Sequence, residues 1–256
     1  MNASYLRMTG PQIAGLGSPI LLLPLGSVEQ HGGHLPVDTD SVIANFICNE
    51  VATRLSALVA PGFPYGCRSQ PVSGGGELFP GTVGIHGTIY SKFLADILVS
   101  YARHGLNRIV LVVGHFENAQ FAIEGATIAQ ECSSDLRVIV LNWWDVPTPA
   151  QLDSVFAGSF PGWEAEHAGI VETSLMLHLD PDAVRTHLIE DRISEISPPP
   201  YTVVPERHGL VDPSGVLRTA TGSSSEIGRK LFDQLVADMV DLLANEEYLQ
   251  PRVEAP

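Results

Sequence analysis

Two short stretches bring acids and histidines together in a way that matches divalent-metal chemistry. Glu29-Gln30-His31 is followed by Asp40, and His115-Phe116-Glu117 repeats the pairing of histidine and carboxylate at i and i+2. In extended backbone successive side chains alternate faces, so Glu29 and His31 are expected to project the same way, as are His115 and Glu117. Carboxylates and imidazoles together form the ligand set of a catalytic divalent metal. Each residue alone has an ordinary explanation, Asp40 as a helix N-cap and His31 as a loop residue. Two pairs of the same kind outweigh it. If the strands that carry them are neighbours, Glu29, His31, Asp40, His115 and Glu117 meet in one crevice: too many ligands for one open catalytic ion, enough for two, with one carboxylate bridging. Three carboxylates so close would raise one another's pKa values unless cations lay between them. Two ions about 3.5–4 Å apart activate water at neutral pH and polarise a carbonyl, which suits hydrolysis of an amide or similar bond.

A third cluster, Trp163-Glu164-Ala165-Glu166-His167, lies where an irregular stretch runs into a helix expected over 168–179. His167 is a candidate acid/base at that position. The competing explanation makes Glu164 and Glu166 first-turn acids favoured by the helix dipole, Trp163 a packing residue and His167 a surface side chain. Glu172, further along the helix, either orients a catalytic partner or is solvated. Ser73-Gly74-Gly75-Gly76 offers backbone N–H groups but lacks the lysine and strand–helix context of a phosphate-binding loop.

The elements that must position these residues read as alternating strands and helices. Short apolar runs at 20–26, 56–60, 108–114 and 137–142 are expected strands, continuous enough in apolarity to be covered on both faces. Between them, 41–55, 88–104 (closed by Gly105) and 117–132 carry apolar residues at helical spacing, the pattern of parallel strands joined by crossover helices. The acid and histidine pairs then fall beyond the C-terminal ends of the first and third strands, where open parallel sheets bind ligands. Residues 61–87, rich in glycine and proline, 145–164 and 197–222 break the rhythm as long irregular segments, and an amphipathic helix is expected near 223–245. One domain spanning residues 1–256 is the expectation.

Composition narrows the function classes. The chain has 256 residues, 45% of them hydrophobic, as in a packed globular protein. Lys and Arg total 14 against 29 Asp and Glu, a formal net charge of −15, which opposes binding to nucleic acid or to anionic membrane surfaces. Cys48, Cys67 and Cys132 are widely spaced and form no CxxC pair. Neither a signal peptide nor a stretch of membrane-spanning length is apparent, so a cytoplasmic setting is expected.

The stretches LPLGSVEQHGGHLPVDTD, GHFENAQFAIEGA and GWEAEHAGIVETSLML, with the loop YGCRSQPVSGGGELFPGT, resemble the creatininase (creatinine amidohydrolase) family from about residue 21 to 179, in family order. Phe116-Glu117, where many relatives carry Gly-Gly, is similar to the creatininase branch itself. The resemblance implies a three-layer α/β/α sandwich with a mostly parallel central sheet, a homohexamer, and two divalent ions per subunit, zinc or manganese. By motif position it implies Glu29, Asp40 and His115 on one ion and His31, Asp40 and Glu117 on the other. It implies opening of a small cyclic amide, creatinine to creatine, by metal-activated water, with His167 and Glu117 catalytic and His167 passing a proton to the leaving nitrogen. Ser73, Phe116, Trp144, Trp163, Glu164 and His167 match substrate-contacting positions. Phe116 stands where the family carries Tyr and Glu164 where it carries Asp, so the metal centre matches while the substrate is open. The alternatives are another lactam, formamide or guanidine-derived ring, or a non-catalytic metal-binding scaffold.

Overall fold

The computed structural model describes residues 4–158, 160, 162, 163, 166–190 and 201–250. Along the chain run α1 (Gly10–Ala14), β1 (Ile20–Leu25), α2 (Thr39–Leu55), β2 (Leu58–Val59), α3 (Gly87–Ala102), β3 (Arg108–Val113), α4 (Asn118–Cys132), β4 (Arg137–Asn142), α5 (Pro149–Val155), α6 (Ile170–Leu179) and α7 (Ser225–Asn245). The four strands form one sheet in the order β2-β1-β3-β4, every pairing parallel.

That order has a physical consequence. β1 is followed by β2 on one side and, after the next crossover, β3 takes the other side of β1. Right-handed crossovers in opposite directions place their helices on opposite faces. Leu22, Val110 and Val112 accordingly pack with residues of α2, α6 and α7 in one core. Leu21, Leu23, Ile109, Leu111 and Val113 pack with α3 and α4 in the other. The alternation is the two-residue period of a strand with both faces buried. The result is the expected three-layer α/β/α sandwich, with its central sheet fully parallel among the described residues.

Three local differences from the sequence reading have clear causes. β2 is only Leu58–Val59, because Pro61 and Gly62 interrupt it; the chain still follows β1, with Ala60 N donating to Leu22 O at 2.9 Å and Phe63 N to Pro24 O at 3.0 Å. The irregular stretch expected at 145–164 contains α5. Its start is a capping box, Thr148 Oγ1 accepting from Gln151 N at 3.4 Å and Thr148 N donating to Gln151 Oε1 at 2.7 Å, with Pro149 in the first turn. Helix α6 begins two residues later than expected, after an N-terminal turn built on Glu166. Gly105 sits at φ 80° beyond α3, where Leu106 N reaches back to Tyr101 O, as a glycine closing a helix does. No helix among the described residues is long and apolar enough to cross a membrane.

Candidate metal centre

β1 and β3 are neighbours, with Leu25 opposite Val113, and Gly114 N donates to Leu25 O at 2.8 Å to tie their C-terminal ends together. This is the point where the strand order reverses, and it is where the chemistry-bearing side chains meet. Glu29 and His31 come from the loop after β1, closed by Glu29 N donating to Val37 O at 2.9 Å. Asp40 is in the first turn of α2, His115 follows β3, and Glu172 is in the first turn of α6. Asn118, at the start of α4, joins these segments: its carboxamide donates to Gly26 O at 2.9 Å and accepts from Cys67 N at 2.8 Å.

Three overlapping donor sets result among the described residues, Glu29–His31–His167, Glu29–Asp40–His115 and His31–Asp40–Glu172, each with ligand atoms within 4.8 Å of one another; Asp40 belongs to the last two. His115 Nε2 donates to Cys67 O at 2.9 Å, leaving Nδ1 free at 2.9 Å from Glu29 Oε2 and 3.2 Å from Asp40 Oδ2. His31 Nδ1 donates to Glu29 O at 3.0 Å, leaving Nε2 at 3.1 Å from Asp40 Oδ1 and 3.7 Å from Glu172 Oε2. Backbone carbonyls thus orient both imidazoles and leave the other ring nitrogen facing carboxylates, the arrangement found around metal-ligating histidines. Ser27 Oγ donates to Asp40 Oδ2 at 2.6 Å. His31 Nε2 and Glu29 Oε1 are buried without a hydrogen bond, as atoms do that converge on a shared centre rather than on each other. Gly74 is required here, since a Cβ on it would overlap Glu29 Oε1.

The electrostatics call for positive charge. Burial raises the Glu29 carboxyl despite the pull of His115. Burial also opposes ionisation of Asp40, but His31 and His115 outweigh it and hold Asp40 well below the usual carboxylate range. Burial lowers His31 and His115, yet the carboxylates around them, Asp40 for one and Glu29 for the other, push both well above the ordinary histidine value. Protons on these imidazoles substitute for cations among the carboxylates. The donor chemistry, the orphaned atoms and the charge balance all fit divalent ions.

Glu117 does not join this cluster. The i, i+2 argument requires extended backbone, and here the chain turns: Asn118 N donates to His115 O at 3.0 Å and Glu117 lies in the helical region of φ/ψ. Its carboxylate faces the opposite edge of the His115 ring, with Oε2 3.3 Å from Nε2. There Oε1 accepts from Gln70 N at 2.9 Å and from the Ser73 hydroxyl. Glu172, a weak candidate in the sequence, occupies the place beside His31 and Asp40.

His167 is buried against the same centre, its ring centroid 4.3 Å from that of His31. Burial first, then His31, pushes its pKa well below the ordinary value. Glu166 accepts from Val171 N at 2.7 Å and Glu172 N at 3.3 Å at the start of α6, the dipole role foreseen for it, and burial raises its pKa to about 8. His34 Nε2 meets Thr173 Oγ1 at 2.9 Å, one residue from Glu172.

A cavity of about 580 Å³ opens over this cluster, lined by Ser73, Glu117, Glu166 and His167 and walled by Val72, Phe116, Trp143, Trp144 and Trp163. Phe116 stacks on Trp144 with centroids 6.1 Å apart, and Trp143 meets Trp144 and Trp163 edge-on. Glu164 lies outside the described residues. Sequence reasoning missed Gln30 and Asn118. EQH and EN flank the ligands, and an amide beside a ligand motif is the signal that would have found them.

The sequence profile of the creatininase (creatinine amidohydrolase) family matches residues 6–243. Creatinine amidohydrolase of Pseudomonas putida is 39% identical over 239 residues, covering 90% of each chain. Mycofactocin precursor peptide peptidase of Mycobacterium tuberculosis is 33% identical over 270 residues, covering 95% of this chain and 96% of the relative. A glutamate-to-glutamine mutant creatininase complexed with creatine superposes at TM-score 0.92 with 36% identity, over 98% of this chain and all of that one (100%). Creatininase structures described as Zn–Zn and Mn forms superpose at TM-score 0.90, each over 95% of this chain and 97% and 98% of theirs, at 35% and 36% identity. The chain belongs to the creatininase family of hydrolases.

Proposed function

We propose that this chain hydrolyses the C–N bond of a small amide at a two-ion centre, with creatinine to creatine the best single candidate. The observation that carries the reading is the pair of donor sets sharing Asp40. Glu29, Asp40 and His115 would hold one ion; His31, Asp40 and Glu172 would hold the other. Zinc and manganese both suit this mixture of carboxylate and imidazole, and availability decides between them. When bound, the ions supply Lewis acidity toward a carbonyl and lower the pKa of water.

The chain's own residues supply the rest. Glu117, fixed by Ser73 and Gln70 N at the cavity wall, is placed to accept a proton from the water that attacks the amide carbon. His167 is kept neutral by burial and by its cationic neighbours, and nearby cations would push it the same way. A neutral imidazole can take up a proton and pass it to the leaving nitrogen as the C–N bond breaks. Trp144 and Trp163 enclose the substrate and exclude water, and Phe116 contributes an apolar face without the hydroxyl that a tyrosine would offer.

A second reading keeps the chemistry and changes the substrate to a larger amide, another lactam or a short peptide. The cavity supports it: about 580 Å³ is ample for more than one small ring, and Phe116 and Val72 are exposed at 62% and 56% on its wall. The test is hydrolysis by purified protein, stripped with chelator and reloaded with manganese or zinc, of creatinine beside other lactams, formamides and short peptides. Metal-dependent creatine release supports the first reading, and activity confined to bulkier amides supports the second. Metal-loaded protein that hydrolyses none of them contradicts both.

A further inference from the structure

Gln30 lies between the two ligands Glu29 and His31 and is itself neither ligand nor exposed: it is 5% accessible. Its carboxamide is the most heavily shared polar group around the centre. Nε2 lies 3.1 Å from Gly74 O, 2.8 Å from Gly215 O and 3.0 Å from His167 Nε2, while Oε1 accepts from Gly32 N at 2.9 Å. The orientation is forced. With oxygen and nitrogen exchanged, an oxygen would face two carbonyls and an NH₂ would face an N–H, and the bonds to Gly74 O, Gly215 O and Gly32 N would all be lost.

An amide nitrogen has two hydrogens, and here the two carbonyls take both. None remains for His167 Nε2. That nitrogen also lies 2.7 Å from the backbone O of Gln30, an atom that can only accept, so His167 Nε2 carries the hydrogen and donates it. In a neutral imidazole the other nitrogen, Nδ1, is then bare.

The turn after residue 211 makes the arrangement rigid. Ser214 N donates to Asp212 Oδ1 at 2.8 Å and Gly215 N to Asp212 O at 2.9 Å, which presents Gly215 O to Gln30. Two residues on, Leu217 N donates to the backbone O of His167 at 3.3 Å. Gly215 has φ 75°, and a Cβ there would overlap Gln30 Oε1. One turn therefore grips both Gln30 and His167, which gives the irregular stretch beyond residue 200 a function.

We propose that Gln30 is a positioning residue: its backbone oxygen fixes His167 as the Nε2-protonated, Nδ1-bare tautomer, and its side chain, anchored to Gly74 O and to the turn 212–217, holds that oxygen in place. The inference rests on the proposed role of His167 as the proton carrier.

The test replaces Gln30 with Met and, separately, with Leu, neither of which can donate to either carbonyl. Metal-loaded proteins with ¹⁵N-labelled histidine are compared by NMR, His167→Ala identifying the His167 signals. The wild type is expected to show Nε2 protonated and Nδ1 bare, and both variants to lose that signature as the backbone oxygen of residue 30 is released. Metal content stays at the wild-type level, kcat falls on the order of 10²-fold, and KM changes far less, since Gln30 does not line the cavity. Nδ1 protonated in the wild type overturns the proposal, as does an unchanged His167 signature in the variants. Loss of metal from the variants overturns it as well, because Gln30 would then support the ligands instead. Should one variant not fold, the other decides alone. The NMR comparison needs no substrate, so a failure to find any hydrolysed amide would defeat the proposed function and leave this test standing; full turnover in His167→Ala would defeat the role of His167 separately.

Discussion

The floor and the wall of one cavity are built on opposite principles. On the floor, Glu29, His31, Asp40 and His115 are each 3% exposed or less, and each histidine is oriented by a backbone carbonyl. On the wall, Phe116 and Val72 are more than half exposed, and Phe116 is held by stacking on Trp144. The floor is dictated by the fold, because it forms where β1 and β3 end side by side and where α2 and α6 begin. On the wall, Phe116 and Val72 belong to no strand or helix and stand clear of both cores, whereas Trp143 is rooted in the core beneath. Under the proposed function, the floor sets the reaction type and the wall the choice of substrate.

Substitutions on the floor should be far costlier than those on the wall, and the largest effect belongs to Asp40. Asp40→Ala removes the carboxylate that the Glu29–Asp40–His115 and His31–Asp40–Glu172 sets share. Turnover should fall to background and most bound metal should be lost, as read by elemental analysis of the purified variant. Normal metal content with measurable turnover would break the contrast. Next comes His167→Ala: metal content near that of the wild type, with kcat lowered about 10²–10⁴-fold, the usual worth of a positioned acid/base. Steady-state kinetics beside metal analysis checks both halves, and unchanged kcat would return His167 to a packing role. The smallest effect is expected at the wall. Phe116→Tyr restores one hydroxyl and should raise kcat/KM for creatinine relative to bulkier amides by on the order of tenfold, with no change in metal content. A competition assay measures the ratio, and a ratio that stays put would show that this wall position does not select the substrate.

The parts of the molecule that are governed by local pattern were readable from residues alone. The four apolar runs became strands and the helical-period stretches became α2, α3 and α4, since burial on both faces leaves a continuous hydrophobic signature. Glu29, His31, Asp40 and His115 converge as their spacing beyond β1 and β3 implied. Glu117 and Glu172 show where that reasoning stops. Glu117 follows a turn, not a strand, so the period of two does not hold, and only the hydrogen bond from Asn118 N to His115 O reveals it. Glu172 lies more than 130 residues along the chain from Asp40, and no local spacing can report that α6 starts beside the β1 loop. Gln30 was hidden for a related reason, because its partners Gly74, His167 and Gly215 are brought to it by three separate segments.

The most direct test of the two-ion floor is the metal stoichiometry of Glu172→Gln measured beside Glu117→Gln, each reloaded with manganese or zinc under conditions that saturate the wild type. The geometry predicts two ions per chain in the wild type and in Glu117→Gln, and the loss of one in Glu172→Gln, whose carboxylate completes the set with His31 and Asp40. Two ions retained in Glu172→Gln, with one lost from Glu117→Gln, would contradict it and return the second site to Glu117.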